Sequence, residues 1–357
     1  MLVSSDSISK LCGGEQLILC RDDSVGLRAA IAIDDTTLGP AVGGVRYRSY
    51  PNETAALTEV QRLAATMTLK NAVAELPYGG AKSVIIQQDD DPLSGPARAR
   101  LMRRFGEFVA RTAGTYLPGV DMGTSVDDLA IIGESGAPVS CSEIDPSPCT
   151  ALGVASAIRA AVAHIDGRDD LEGIRVLIQG VGHVGAALAH DLAADGAVVM
   201  VSDIDADRAA ELAGAVGGIG VPAERALDTA CDVFAPCAVA RVVSQTTLSR
   251  LACRIIAGAA NDTLADRALA TSLAARGITY VPDFVANAGG VIDIHAIANA
   301  FDEQALRAAI EGIGRRVTEI LDEAELRAET PLRVAERRAE RVLAAAGTHS
   351  HTERLAA

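Results

Sequence analysis

Two lysines and two glycine-rich segments carry the residues that could do chemistry. Lys70 follows Met67 by three positions on the apolar side of a helical period, and Lys82 follows Pro77-Tyr78-Gly79-Gly80-Ala81 and precedes an apolar strand. One lysine near a helix end is ordinarily a snorkelling surface residue. Two lysines 12 positions apart, separated by a Gly-Gly turn and both beside apolar segments, read differently. A lysine buried there must be paired or deprotonated. One of them could hold a substrate carboxylate, and the other, with a lowered proton affinity, could act as a base. A further segment, Gly119-Val120-Asp121-Met122-Gly123, offers an acid between glycines. By residue type Asp121 is first a turn former, and no statistic places it beside Lys82.

The second chemistry-bearing segment is Gly180-Val181-Gly182-His183-Val184-Gly185. It follows the apolar strand IRVLIQ, opens a helix, and is followed by a strand ending in Asp203, 23 residues after Gly180. In that context G-x-G-x-x-G reads as a dinucleotide turn. Gly180 permits the turn, Gly182 lets a pyrophosphate approach the backbone at a helix N-terminus, and Gly185 allows close helix–strand packing. Asp203 stands where a carboxylate accepts the ribose hydroxyls and repels a 2′-phosphate, so NAD is expected over NADP.

The elements that must position these residues follow from periodicity. EQLILC (15–20) and LRAAIAI (27–33) are strands around a DDSVG turn, 53–72 is helical, LPYGG (76–80) breaks it, and SVIIQ (83–87) is a strand. Residues 96–113 form a second amphipathic helix, and 118–148 are loop-rich. From Thr150 the pattern alternates: helix 150–164, strand 174–179, a helix to about Asp195, and strands at 197–203, 231–236, 254–260 and 278–284. This predicts an α/β chain of two domains. Residues 1–147 form an α/β substrate-binding, catalytic and oligomerisation domain, onto which a C-terminal helix of about 325–350 packs back; residues 148–324 form a doubly wound Rossmann domain. The tail GTHSHTERLAA is expected to be mobile.

Composition bounds the function. With 357 residues and a net charge of −15, the chain is expected to bind neither nucleic acid nor an anionic membrane. No apolar run is expected to span a bilayer, and the start MLVSSDSISK lacks the pattern of a secretory signal. The seven cysteines are scattered without a C-x-x-C, which predicts reduced thiols, no metal site and a cytoplasmic location.

Taken together, the motifs resemble the glutamate/leucine/phenylalanine/valine dehydrogenase superfamily, in its leucine/phenylalanine/valine branch. The matching segments are GPAVGGVR (39–46), MTLKNA (67–72), LPYGGAKSVI (76–85), DMGTSVDD (121–128), PSPCTALGV (146–154), IQGVGHVG (178–185), CDVFAPCA (231–238), IIAGAAND (255–262) and YVPDFVANAGGVID (280–293). The resemblance implies that a hydride passes from an amino acid's Cα to the nicotinamide, and that water adds to the resulting imine to release ammonium and a 2-oxo acid. It implies Lys82 as the general base and Asp121 as its proton-transfer partner. Lys70, with Met67 and Asn287, would hold the α-carboxylate near Gly43 and Gly44. Thr150, Cys237, Ala238, Ala259 and Asn261 would line the cofactor, with Ile204 beside Asp203. It also implies a domain cleft that closes on the reaction, and a homo-oligomer, dimer or octamer.

Glutamate-specific members read the distal carboxylate with a lysine before the first Gly-Gly and a serine after NAGGV. Here those positions are Val42 and Ile294. A carboxylate there would be unpaired and costly, so an apolar side chain is expected, walled by Val42, Gly119, Val291 and Ile294. Gly119 is expected to leave extra room, which favours a bulky or aromatic group, although one methyl is worth only about 1 kcal/mol. The stretches 133–146 and 295–305 depart from the family pattern. Three rival readings are a 2-hydroxy-acid dehydrogenase, an NAD-binding regulatory or biosynthetic paralogue, and a dehydrogenase for an unusual amino acid. The first lacks a histidine in a loop beside the cofactor, and the second is disfavoured by the presence of both Lys82 and Asp121.

Overall fold

The computed structural model describes residues 12–88, 92–140, 145–238 and 240–356, with side chains through 348. Cys141 and the opening MLVSSDSISK lie outside the described residues. The chain divides into two units, one of Met1–Asp145 with Ala339–Ala357 and one of Pro146–Arg338.

The first unit is built on five strands: β1 Gln16–Asp22, β2 Leu27–Asp35, β3 Ala41–Arg48, β4 Gly79–Ile86 and β5 Tyr116–Val120. Their order is β1-β2-β4-β3-β5. β2 is antiparallel to β1 and β4, while β3 runs parallel to β4 and β5. Alternation sorts the two faces. Ile31, Ile33, Val45, Tyr47, Ile85 and Tyr116 pack with Leu101, Phe105, Leu129 and Ile132 of α2 Gly95–Ala110 and α3 Val126–Gly133. On the other face the small Ala30 and Ala32, with Val84, let α1 Glu53–Val73 settle close through Ala56, Val60 and Ala64. Asn52 caps α1 by accepting the Ala55 N–H at 2.9 Å.

Three sequence expectations change here. Gly79-Gly80 is not a turn; both residues lie inside β4, which places Lys82 in mid-strand. The glycines are needed because a Cβ on Gly79 would lie 1.9 Å from the Asp35 carbonyl oxygen and one on Gly80 2.2 Å from Thr68 of α1. The stretch 118–148 is less loop-rich than its composition suggests, since β5 begins at Tyr116 and α3 follows. Its signal was present: Ser125 and Asp128 form a capping box. The helix α11 Pro331–Ala356 also continues through the polar tail, beyond the expected end near 350.

The second unit holds a six-stranded sheet in which every pairing is parallel. Its strands are β6 Arg175–Gln179, β7 Val198–Ser202, β8 Ile219–Gly220, β9 Val233–Pro236, β10 Ile255–Ile256 and β11 Thr279–Tyr280, in the order β11-β10-β9-β6-β7-β8. Strand order reverses between β6 and β9, the switch point where doubly wound sheets bind ligands. Helices α4 Ser147–Asp166, α5 His183–Ala194, α6 Ala206–Val216, α7 Leu269–Ala275, α8 Asp283–Ala286, α9 Gly289–Ala298 and α10 Glu303–Arg327 complete the unit. The sequence reading ended this domain near 324, whereas the unit continues to Arg338. Contrary to the apolar-run expectation, α4 is 20 residues long with a mean hydropathy of 1.3, enough by composition to cross a bilayer. More than half of it is buried, including Val154, Ile158 and Val162, as in the core helix of a water-soluble sheet protein.

Candidate active site

The first unit gathers four charged side chains on the α1 face of its sheet. Lys82 projects from the middle of β4 and is 6% exposed. Its ammonium lies 3.0 Å from Asp121 Oδ2. Arg46, from β3, donates through Nε to the same Oδ2 at 2.8 Å and through Nη1 to Glu59 Oε1 of α1 at 2.6 Å. The Tyr50 hydroxyl lies 3.3 Å from that Glu59 oxygen. Burial alone would push the Lys82 amine well below its ordinary range. Asp121 opposes that push, Arg46 adds to it, and the net direction is downward. Desolvation raises the half-buried Asp121 carboxyl, but Lys82 and then Arg46 outweigh it and hold the group well below the usual carboxylate range. The pair is therefore an ionised acid against a base poised to lose its proton.

Local structure explains the meeting. Asp121 ends β5 in a turn whose Thr124 hydroxyl accepts the Asp121 N–H at 3.0 Å and donates to the Val45 carbonyl of β3 at 2.8 Å. Gly44 supplies the space. A Cβ there would stand 2.7 Å from Asp121 Cβ and 3.1 Å from Lys82 Nζ. Gly43 lets β3 approach β4, since its Cβ would lie 1.6 Å from the Ala81 carbonyl oxygen. Tyr116 fixes the sheet from the opposite face, with its hydroxyl 2.9 Å from the Gly43 oxygen and 2.8 Å from Ser83.

The remaining predicted residues of this unit are placed as follows. Lys70 is buried near the C-terminal end of α1, one turn beyond the half-buried Met67. Val42 is buried in β3, and Gly119 pairs with Gly44 in β5. The expected extra room at Gly119 is not there: a Cβ would lie 2.9 Å from Ser140 Oγ, so the serine fills the space of the missing methyl. Ser140 is held by donating to the Pro118 carbonyl at 3.0 Å. Arg46 and Glu59 are the residues that sequence reasoning missed. The available signal was an arginine on the same alternating face as Gly44, directly after the apolar Val45, where a buried charge demands partners.

In the second unit the glycine turn sits at the switch point. Gly180 has φ +99°, the left-handed side that glycine favours. Its N–H donates to the Ser202 carbonyl at 2.7 Å. Gly185 packs so closely that its Cβ would stand 1.9 Å from the Gly180 oxygen. The Cys237 N–H donates to the Gln179 carbonyl at 2.7 Å, bringing Cys237 and Ala238 to the same edge. Asp203 accepts the Val181 N–H at 2.8 Å on Oδ2, and the Asp205 N–H at 3.0 Å and Arg208 at 2.9 Å on Oδ1. Burial raises the Asp203 carboxyl, but these bonds outweigh it and hold it below its usual range.

These residues fit a dinucleotide. A Cβ at Gly182 would meet nothing within 4 Å, and Gly182 begins α5 without a side-chain cap, so a pyrophosphate has room to approach the helix N-terminus beside His183 and Val184. Ile204, beside the carboxylate, is 95% exposed, a flat apolar surface suited to an adenine.

Thr150 donates to the Pro146 carbonyl at 3.0 Å at the start of α4, where Gly289 and Gly290 pack against Cys149 and Thr150. Val291 is buried and Ile294 half-buried on α9. Burial pushes the Cys149 thiol up to about 12 and that of Cys237 up to about 11, so neither offers a thiolate near neutral pH. Asn287 is held within the second unit. Its Nδ2 donates to the Ala259 carbonyl and to Asn261 Oδ1, each at 3.0 Å, and its buried Oδ1 has no protein partner among the described residues. An acceptor so presented suits an N–H donor.

With this geometry in place, comparison with known proteins is decisive. Residues 16–135 match the family described as Glu/Leu/Phe/Val dehydrogenase, dimerisation domain, and residues 144–207 and 209–345 match Glutamate/Leucine/Phenylalanine/Valine dehydrogenase. The leucine dehydrogenase of Thermoactinomyces intermedius is 38% identical over 314 residues, covering 86% of this chain and 85% of the relative. The phenylalanine dehydrogenase of Lysinibacillus sphaericus is 35% identical over 353 residues, covering 95% and 91%. The crystal structure of L-tryptophan dehydrogenase from Nostoc punctiforme aligns with a TM-score of 0.77 at 34% identity, covering 96% of this chain and 99% of that one. Two independent family matches, long alignments and a shared fold leave one conclusion: the chain belongs to the glutamate/leucine/phenylalanine/valine dehydrogenase family of amino-acid oxidoreductases.

Proposed function

We propose that the chain catalyses the reversible, NAD-dependent oxidative deamination of an L-amino acid with an apolar side chain, giving the 2-oxo acid and ammonium. The observation that carries this reading is Lys82, buried at mid-strand 3.0 Å from an ionised Asp121. Bound NAD would supply the acceptor for the hydride leaving the substrate Cα. Gly180, Gly182 and the α5 N-terminus would hold its pyrophosphate and Asp203 its ribose, with Thr150, Cys237, Ala238, Ala259 and Asn261 along its length.

The chain's own residues do the rest. Lys70 and Met67 hold the α-carboxylate. The neutral Lys82 amine takes a proton from water as the water oxygen bonds to the imine carbon. The ammonium so formed is stabilised by Asp121 Oδ2. It then returns the proton to the amino nitrogen; the regenerated neutral amine takes the hydroxyl proton as the C–N bond breaks and the carbonyl forms, and the departing ammonia accepts that proton from Lys82 to leave as ammonium. Val42 and Gly119 in the first unit, and Val291 and Ile294 in the second, offer no charge to a distal carboxylate. The leucine, phenylalanine and tryptophan dehydrogenases among the relatives support an apolar substrate. With Ser140 in the Gly119 space, Gly119 does not favour an aromatic group over a branched aliphatic one. The dimerisation-domain match over residues 16–135 supports a homo-oligomer formed through the first unit. The free thiols of the six described cysteines suit a reducing cytoplasm.

The test is NADH formation across the L-amino acids. Leucine, valine, phenylalanine or tryptophan should exceed glutamate by roughly 100-fold or more in kcat/KM, the cost of burying an unpaired carboxylate. Glutamate used as well as the best apolar amino acid would overturn the pocket assignment.

A further inference from the structure

Two cations share one carboxylate oxygen in the first unit, and that arrangement has consequences for the base. We propose that Arg46, braced by Glu59, is the positioning residue that sets how tightly Lys82 holds its proton. The proposal rests on the reading of Lys82 as the general base.

The geometry is specific. Arg46 is 6% exposed and reaches two carboxylates, Asp121 at 2.8 Å and Glu59 at 2.6 Å. Its Nη2 lies 3.5 Å from Asp121 Oδ1, so the guanidinium lies along the carboxylate edge that Lys82 also needs. Burial disfavours the charge on Arg46, but Asp121 and Glu59 more than offset this, and the guanidinium stays protonated at every working pH. Without Arg46, Lys82 would face the half-buried Asp121 and Glu59 carboxylates unopposed by it and hold its ammonium proton more firmly. With Arg46, one of those negative charges is cancelled and a fixed positive charge stands across Oδ2 from Nζ. A base that must shed its proton near neutrality gains from that opposition: burial weakens the hold of Lys82 on its proton most, Asp121 works against burial, and Arg46 adds to the weakening.

The other groups on this face do not do the same work. From β2 come the apolar Ala30 and Ala32, and then Asp34, whose Oδ2 accepts the Thr68 hydroxyl at 2.6 Å. From α1 come Glu59 and the buried Lys70, the latter near the opposite end of that helix. From β3 and the turn after β5 come Arg46 and Asp121. Arg46 shares the acceptor Asp121 Oδ2 with Lys82.

Opposite substitutions test the sign. Arg46→Gln should raise the proton affinity of Lys82, moving the acid limb of the kcat/KM–pH profile for deamination upward by roughly 1–2 pH units while kcat at high pH is largely kept. Arg46→Lys should restore most of the shift. Glu59→Gln leaves Arg46 unbalanced and should move the limb downward. These two variants keep the test available if Arg46→Gln fails to fold.

Lys82 is titrated directly by trace acetylation with acetic anhydride, read by mass spectrometry in the intact protein. The labelling midpoint should move in the same direction as the limb. Unmoved midpoints, or shifts of the same sign in Arg46→Gln and Glu59→Gln, would overturn the proposal. If the midpoints move as expected while Lys82→Ala retains turnover, the base assignment fails and the charge coupling stands. If Lys82→Ala is inactive and the midpoints stay fixed, the base assignment stands and the coupling fails.

Discussion

The lysine site of the first unit and the glycine turn of the second solve opposite problems. The first is dense with charge: Lys82, Asp121, Arg46 and Glu59 neutralise one another within one face of a sheet. The second is open and nearly bare. Its working groups are backbone N–H donors at the head of α5 and a carboxylate, Asp203, whose oxygens are already oriented by Val181, Asp205 and Arg208. A site that moves protons must control how strongly each group holds them, and burial with paired charges does this. A site that binds a large anion needs only aligned dipoles and room for approach. In the first, single atoms are decisive; in the second, the shape of the backbone is.

That contrast can be broken at either end. The largest effect is expected from Asp121→Asn. The neutral amide cannot stabilise the ammonium that Lys82 becomes, so kcat should fall by about 100-fold or more while NAD affinity, measured by calorimetry, stays within about twofold. A loss of NAD affinity as large as the loss of kcat would show that the two sites do not divide the work. A smaller effect is expected from Asp203→Ala, which removes one ribose acceptor and leaves the helix head intact. NAD affinity should fall by roughly tenfold and discrimination against NADP should relax, with kcat at saturation largely unchanged. An unaltered cofactor preference would remove Asp203 from the ribose and leave Arg208 as its main partner.

The two sites were also unequally legible. The glycine turn is contiguous, and its meaning lies in local backbone geometry, so strand, turn, helix and Asp203 could all be read from spacing. Lys82 was conspicuous for being a lysine among apolar neighbours, yet the strand beginning at Gly79 was read as a turn. Glycines demanded by the close approach of Thr68 and Asp35 look the same in sequence as glycines demanded by a reversal. Asp121 stands out between glycines, but only the resemblance joins it to Lys82; that contact depends on β5 lying beside β3, a pairing that joins residues 75 positions apart in the Arg46–Asp121 bond. Arg46 and Glu59 were missed because nothing local marks a buried charge until its partners are placed. Gly119 misled for the same reason, since the atom occupying its space comes from Ser140. The bonds that Asn287 makes to Ala259 and Asn261 are likewise invisible in its sequence position.

The central claim is that Lys82 does the proton transfer and the second unit holds the cofactor without it. The most direct measurement is Lys82→Ala, assayed for NADH formation with the best apolar amino acid and for NAD binding by calorimetry. Arg46 still pairs with Asp121 in this variant, so no carboxylate is left bare. The account predicts turnover reduced by about 1,000-fold or more with an unchanged Kd for NAD. A variant that turns over within about tenfold of the parent would contradict it.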